Sequence, residues 1–233
     1  IYVQAYVAGD GNHNNTGATG SVTLRMNPKS VAVTWGTTTF TYNGNAQAPT
    51  ATAKSGVNGE TINVTRTTAT NAGSYTSTAS ISSVSGGRAN KANYTLSGNT
   101  KAFTINKVSA GNPTLTAVTA TYDGKAHYVT VSGGYGGTIT YRTSTNNRSW
   151  GSWSTTKPSL TNAGVQYVQA YVVGNGNHNS TGATGSVAIT LIKATVTIPG
   201  SPIKQYTYNG KAQAHGYTAP SGSSIVTSGT TAS

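Results

Sequence analysis

Residues Tyr2 to Val22, YVQAYVAGDGNHNNTGATGSV, return as residues Tyr167 to Val187, YVQAYVVGNGNHNSTGATGSV, with changes only at Ala8/Val173, Asp10/Asn175 and Asn15/Ser180. Composition alone cannot produce such near-identity. It is an internal repeat at an offset of 165 residues, Tyr2 to Tyr167, and a repeat of that kind decides architecture before any single residue does. In the first copy a strand, Tyr2 to Val7, opens without preceding turn chemistry, and a Gly/Asn loop from Gly9 to Gly20 leads into Ser21 to Met26. Residues 1–27 therefore read as the C-terminal half of a repeat, with Pro28 at the junction.

Working outward, residues 28–107 form a complete unit. Val31, Val33 and Trp35 alternate with small or polar residues, the period of a half-buried strand. Tyr42-Asn43-Gly44 follows, and Asn-Gly supplies the positive φ that a tight turn needs. Farther on stand Asn71-Ala72-Gly73-Ser74-Tyr75 and a closing strand with Phe103 and Ile105. Residues 108–193 carry the same signposts: Tyr122-Asp123-Gly124, then Asn162-Ala163-Gly164 and Tyr167, then Val187, Ile189 and Leu191. This unit is the longer one, its surplus being the segment Tyr141 to Pro158 with Trp150 and Trp153. Residues 194–233 begin a further unit at Thr195 to Ile198 and Tyr208-Asn209-Gly210, and so read as an N-terminal half. A short and a long unit alternate along the chain. Half-units expose an edge and an apolar face, so the terminal segments are expected to be completed by neighbouring repeats of a much longer chain, or by identical chains in a filament.

The composition agrees with an all-β chain. Gly, Ser, Thr, Asn, Ala and Val dominate and there are 14 Tyr, a profile suited to short strands joined by polar turns and poor for helices. Fifteen Lys and Arg against three acids give a formal charge of +12. The basic residues are dealt out singly, as at Arg25, Lys54, Arg66, Lys101 and Lys125. Evenly spread charge reads as solvated faces rather than as a footprint for nucleic acid. No cysteine is present, so the fold uses neither disulfides nor thiol chemistry. No apolar run is long enough to span a membrane, and any export signal or anchor would lie outside this sequence.

At Tyr42-Asn43-Gly44, Tyr122-Asp123-Gly124 and Tyr208-Asn209-Gly210, at Asn71-Ala72-Gly73-Ser74-Tyr75 and Asn162-Ala163-Gly164, and at the closing Ile105-Asn106-Lys107 and Leu191-Ile192-Lys193-Ala194, the chain resembles bacterial immunoglobulin-like repeats of the MBG or YDG type. The resemblance implies tandem β-sandwiches in a large, extracellular, cell-surface adhesin. From the residues themselves, Asn71-x-Gly73-x-Tyr75 has the shape of a tyrosine corner, in which a Tyr hydroxyl returns to upstream backbone. Tyr167 stands one residue farther from Gly164 than Tyr75 does from Gly73, so its corner differs. The junctions lack Pro/Gly/Ser linkers, and the units are expected to stack as an extended rod.

Chemistry finds little purchase. Acid–base catalysis by paired carboxylates needs two neighbouring acids, and each complete unit has just one, Glu60 or Asp123. Asp123 occupies the turn position of Asn43 and Asn209. The histidines His13, His127, His178 and His215 fall one per neighbourhood, which is not a metal-ligand pattern. The chain is therefore read as no enzyme, with no cofactor and no metal: a structural or adhesive surface stalk or filament. Two alternatives stay open. One is a module binding cell-wall or host glycans, or anionic polymer, through Tyr141, Arg142, Trp150 and Trp153, whose rings would stack on sugars and whose cation would meet phosphate or sulfate. The other is a bacteriophage virion appendage.

Overall fold

The computed structural model describes residues 1–197, 207, 209–211 and 224. Tyr208, and with it most of the expected half-unit 194–233, lies outside these residues. The chain divides into two compact units, one of Ile1–Pro113, Gly133–Ile139 and Tyr171–Ala183, the other of Thr114–Ser132, Thr140–Ala170 and Thr184–Ser233. Nearly all the regular structure is β. Among the described residues the helical element is a single 3-10 turn, Lys91–Asn93, capped by the Asn90 side chain, which accepts from the Ala92 amide.

The first unit opens with a short antiparallel pair, β1 (Tyr2–Val3) and β2 (Val22–Thr23). Two sheets follow. In one, β3 (Lys29–Trp35) lies between β5 (Ala51–Ala53), antiparallel to it, and β8 (Tyr94–Ser97), parallel to it. The other has the order β4 (Thr39–Thr41), β9 (Thr100–Asn106), β7 (Gly73–Ser85), β6 (Thr61–Arg66). Alternation along these strands decides what meets in the middle. Val31 and Tyr94 from the first sheet pack with Ile62 and Ile81 from the second, joined by Ala53, Val64, Val84 and Leu96. A second cluster, Ala48, Phe103 and Ile105, takes in Phe40, Tyr42, Ala69, Ala72 and Tyr75. Burying each large aliphatic side chain contributes about 1.5–3 kcal/mol against the entropy of ordering. At the open end of β3 the Trp35 indole donates to the Gly98 carbonyl at 2.8 Å, satisfying its one polar atom.

Short pairs come next in the chain. The strand β10 (Val108–Ser109) runs parallel to β18 (His178–Asn179). Two more pairs are β11 (Pro113–Thr116) with β14 (Thr130–Gly133), and β13 (His127–Tyr128) with β16 (Ser159–Leu160). A second four-stranded sheet has the order β12 (Val118–Thr121), β19 (Val187–Ile192), β17 (Gly164–Gly174), β15 (Gly137–Ser144). It is built like the first. In both, a short strand runs parallel to the closing strand, β4 on β9 and β12 on β19, and a long strand pairs antiparallel on the other side, β7 and β17. The amide of Tyr42 donates to Asn106 O at 2.9 Å and that of Tyr122 to Ile192 O at 2.8 Å, so each signpost tyrosine extends the same parallel pair.

The duplicated stretch repeats in geometry as well. Tyr2 faces Thr23 and Val3 faces Val22, as Tyr167 faces Ala188 and Val168 faces Val187. In each copy two threonines strap the loop: Ala5 N donates to Thr19 Oγ1 and Val7 N to Thr16 Oγ1 at 3.0 and 2.9 Å, and Ala170 N to Thr184 Oγ1 and Val172 N to Thr181 Oγ1 at 3.0 and 2.8 Å. A Cβ on Gly9 or Gly174 would sit 2.1 Å from His13 O or 2.2 Å from His178 O. Only glycine allows that approach of backbone to backbone.

Candidate functional site

In the first unit, the loop of the second copy, Asn175–Asn179, is engaged by Tyr42, Asn71, Ala72 and Lys107–Ala110. Within the loop, Asn175 Oδ1 accepts from Asn177 N at 2.8 Å and His178 N at 3.0 Å, and lies 3.0 Å from His178 Nδ1. This Asx arrangement turns the Asn177 side chain toward residues about a hundred positions upstream. Asn177 Oδ1 accepts from Ala72 N at 2.8 Å while its Nδ2 donates to Asn71 Oδ1 at 3.1 Å. The His178 ring meets the Tyr42 ring edge-on with centroids 5.5 Å apart. Lys107 Nζ donates to Asn175 O at 2.9 Å, and Val108 N and Ala110 N donate to Asn177 O and Asn179 O at 3.1 and 3.0 Å. Tyr42, Asn71 and Lys107, all singled out by the repeat pattern, thus converge on one loop. Asn175, Asn177 and His178 were not singled out as site residues, although their recurrence as Asp10, Asn12 and His13 was a visible signal.

The remaining signposts are turns and close approaches. Asn43, Asp123 and Asn209 each accept, through Oδ1, the amide two residues on, at 3.0, 2.9 and 3.1 Å. Gly44, Gly124 and Gly210 follow them with φ of 81°, 75° and 71°, the left-handed region that favours glycine. The Tyr75 ring lies over Gly73, whose added Cβ would stand 3.1 Å from the Tyr75 hydroxyl oxygen, and packs 5.6 Å from the Phe103 ring. The hydroxyl enters no hydrogen bond to backbone among those described. Gly164, by contrast, has nothing within 4 Å of a built Cβ, consistent with the displaced Tyr167. Asn162 sits exposed in the bend before it.

Of the four residues proposed for glycan or anion contact, the structure brings three together. Arg142 lies on β15 with its guanidinium carbon 5.1 Å from the Trp150 ring centroid and 4.5 Å from that of Trp153. Its Nε and Nη2 both donate to Gln169 Oε1 on the neighbouring β17, at 2.9 and 2.7 Å. A backbone bridge between Tyr141 and Ser154, 2.7 and 2.8 Å, holds the Trp153 segment beside β15. Tyr141 is the exception: adjacent strand residues point to opposite faces, and its side chain is buried. The cation is thus bound internally by two rings and an amide oxygen. Arg142→Ala is expected to lower stability by about 1–2 kcal/mol and to shift tryptophan emission, both read in one thermal melt followed by fluorescence.

The sequence carries three acids, Asp10, Glu60 and Asp123, each in a different part of the chain. The Asp123 carboxylate is held below its usual range by the His127 ring at 3.0 Å and then by the Lys125 amide. In the first copy Asp10 is lowered likewise, first by the Asn12 amide and then by His13 at 2.8 Å. Among the described residues no group of three or more His, Asp or Glu could hold a metal ion, and no helix is long and apolar enough to cross a membrane. A cleft of about 230 Å³ lined by Met26, Pro28, Lys29, Val57, Glu60 and Tyr94 contains one short contact, Tyr94 hydroxyl to Glu60 Oε2 at 2.5 Å.

That hydrogen bond, and secondarily burial, raises the Tyr94 hydroxyl above its ordinary value of 10.0, and burial alone raises Tyr141. Raised tyrosine values mean a contribution to stability that is full below pH 10 and lost as pH climbs through the folded-state values. In a spectrophotometric titration these two phenols are expected to ionise late, together with loss of the near-ultraviolet dichroism. Tyr94→Phe should remove one of the late ionisations. Comparison with protein-family models, curated proteins and solved structures finds no match to this chain.

Proposed function

We propose that the chain is a non-enzymatic, extracellular structural or adhesive protein of immunoglobulin-like repeats, a length of bacterial surface stalk or filament extended as a rod. The observation that supports this reading is where the repeated signposts are used. Tyr42, Asn71 and Lys107 meet the duplicated loop at Asn175–His178. The recurring polar residues Asn71 and Lys107 thus join one stretch of the chain to another about a hundred residues away or fewer, and His178 is seated against the Tyr42 ring. Repeat proteins of this design gain reach by adding units, each stabilised by its neighbour.

Scattering tests the rod. A compact 233-residue globule has a radius of gyration of about 17 Å, and the purified chain is expected to exceed this clearly; a value at 17 Å would overturn the reading. Removing the grip should show in stability. Asn177→Ala leaves the Ala72 amide without its acceptor and is expected to cost about 1–3 kcal/mol, while Asn12→Ala, at the equivalent and exposed position, should be nearly silent in the same denaturant titration.

A second reading, binding of glycan or anionic polymer, draws on the Arg142–Trp150–Trp153 cluster. Retention on cell-wall polysaccharide that falls when both tryptophans become alanine would favour it. Retention unchanged by that substitution would leave the cluster as cross-strand packing.

A further inference from the structure

The two copies of the duplicated stretch share most of their sequence, their register, loop straps and glycine approach, yet differ in what covers them. Val3 is 50% exposed where Val168 is 0%, Val7 66% where Val172 is 0%, Leu24 54% where Ile189 is 0%, and Met26 87% where Leu191 is 3%. Val22, paired with Val3, adds to the same exposed apolar surface, while Tyr2 and Tyr6 stand exposed on the opposite face. A patch of this kind marks an interaction surface. In the second copy the hairpin is flanked in its sheet by β12 and β15, both drawn from residues 108–165. The Asp10–His13 loop is open too, whereas Asn175–His178 holds Tyr42, Asn71 and Ala72. Its internal turn is already made, with Asn12 N on Asp10 Oδ1 at 2.8 Å.

We infer that the Ile1–Met26 hairpin is the seat of one specific occupant: a further half-sandwich with the pattern of residues 108–165, in the same polypeptide, preceded by a 28–107-type unit whose Tyr-Asn-Gly and Asn-Ala-Gly turns the Asp10–His13 loop grips. The second copy is the template, because it shows the equivalent hairpin, in the same register, clothed by that pattern. The face takes its partner by strand addition at both edges of the hairpin, with backbone pairing for affinity and the alternate apolar side chains for register. This rests on the repeat reading above.

The absence of cysteine makes a clean test possible. A second copy of residues 28–165 is fused directly before Ile1, which occupies the position of Gln166 after Val165 and so keeps the 165-residue register. Met26→Cys then provides the only thiol. In the 233-residue chain it should react rapidly with a thiol reagent, and in the fusion about 100-fold more slowly or less. Val7→Asp in the fusion should restore the fast rate. Equal rates in the two chains, with the amides of Val168–Val172 still protected from exchange in the fusion, overturn the inference. So does a slow thiol in the 233-residue chain accompanied by dimerisation in light scattering, which would make the occupant a second copy. Either failure leaves the scattering test of the repeat reading standing on its own.

Discussion

Alanine in place of Ile189 should lower the free energy of unfolding by about 2–5 kcal/mol, while alanine in place of Leu24, its counterpart 165 residues earlier, should change it by no more than about 0.5 kcal/mol. Both side chains stand on the second strand of the same duplicated hairpin. Ile189 faces Gln166 on β17 and Val118 on β12, and is wholly buried. Truncating it removes three carbons from contact and leaves a void that a close-packed interior fills only in part. Leu24 loses the same kind of group from a largely solvated face. Its backbone holds the hairpin without the side chain, since Leu24 N donates to Ile1 O. Urea titration should show a lower midpoint with unchanged slope for Ile189→Ala and a superimposable curve for Leu24→Ala. An equal cost at the two positions would mean that the Leu24 face is already covered in solution.

Local chemistry was readable in the sequence and long-range contact was not. Val31, Val33 and Trp35 alternate because one face of β3 is buried, and Phe103 and Ile105 do so for the same reason on β9. The Asn43-Gly44 and Asp123-Gly124 turns need no partner beyond an amide two residues away. Tyr75 shows where such reasoning stops. The sequence suggests a hydroxyl returned to upstream backbone. The structure lays the ring over Gly73, and no hydrogen bond from the hydroxyl to backbone is among those described, because where a hydroxyl finds an acceptor depends on backbone from elsewhere in the fold. The Arg142 cluster is similar. Two tryptophans three residues apart signal an aromatic pair, whereas the seating of a cation between them follows from the Tyr141–Ser154 bridge and from Gln169, 27 residues on. Asn177 lies 105 residues from Ala72. Duplication revealed that its loop recurs, but only the fold brings the loop to its upstream turns.

Phe103→Ala should carry the largest single cost in the first unit, about 3–5 kcal/mol. Its ring meets Phe40 edge-on at 6.0 Å and Tyr75 at 5.6 Å, at the centre of the cluster that includes Ile105, Tyr42 and Ala72. Tyr75→Phe keeps both ring contacts and should stay within about 0.5 kcal/mol; a larger loss would restore the tyrosine-corner hydrogen bond that the geometry omits. The deeper consequence concerns the loop. Tyr42 and Ala72 are shared, since their inward sides pack with Phe103 while the Ala72 amide and the Tyr42 ring receive Asn177 and His178. Residues that share partners do not contribute additively. In a double-mutant cycle, Asn177→Ala should therefore cost less in the Phe103→Ala background than alone, by about 0.5 kcal/mol or more. A coupling of zero would show that the loop binds a surface whose shape is independent of the core beneath it. A coupling of the expected sign would show that the core of the first unit holds its turns in the form that the duplicated loop grips.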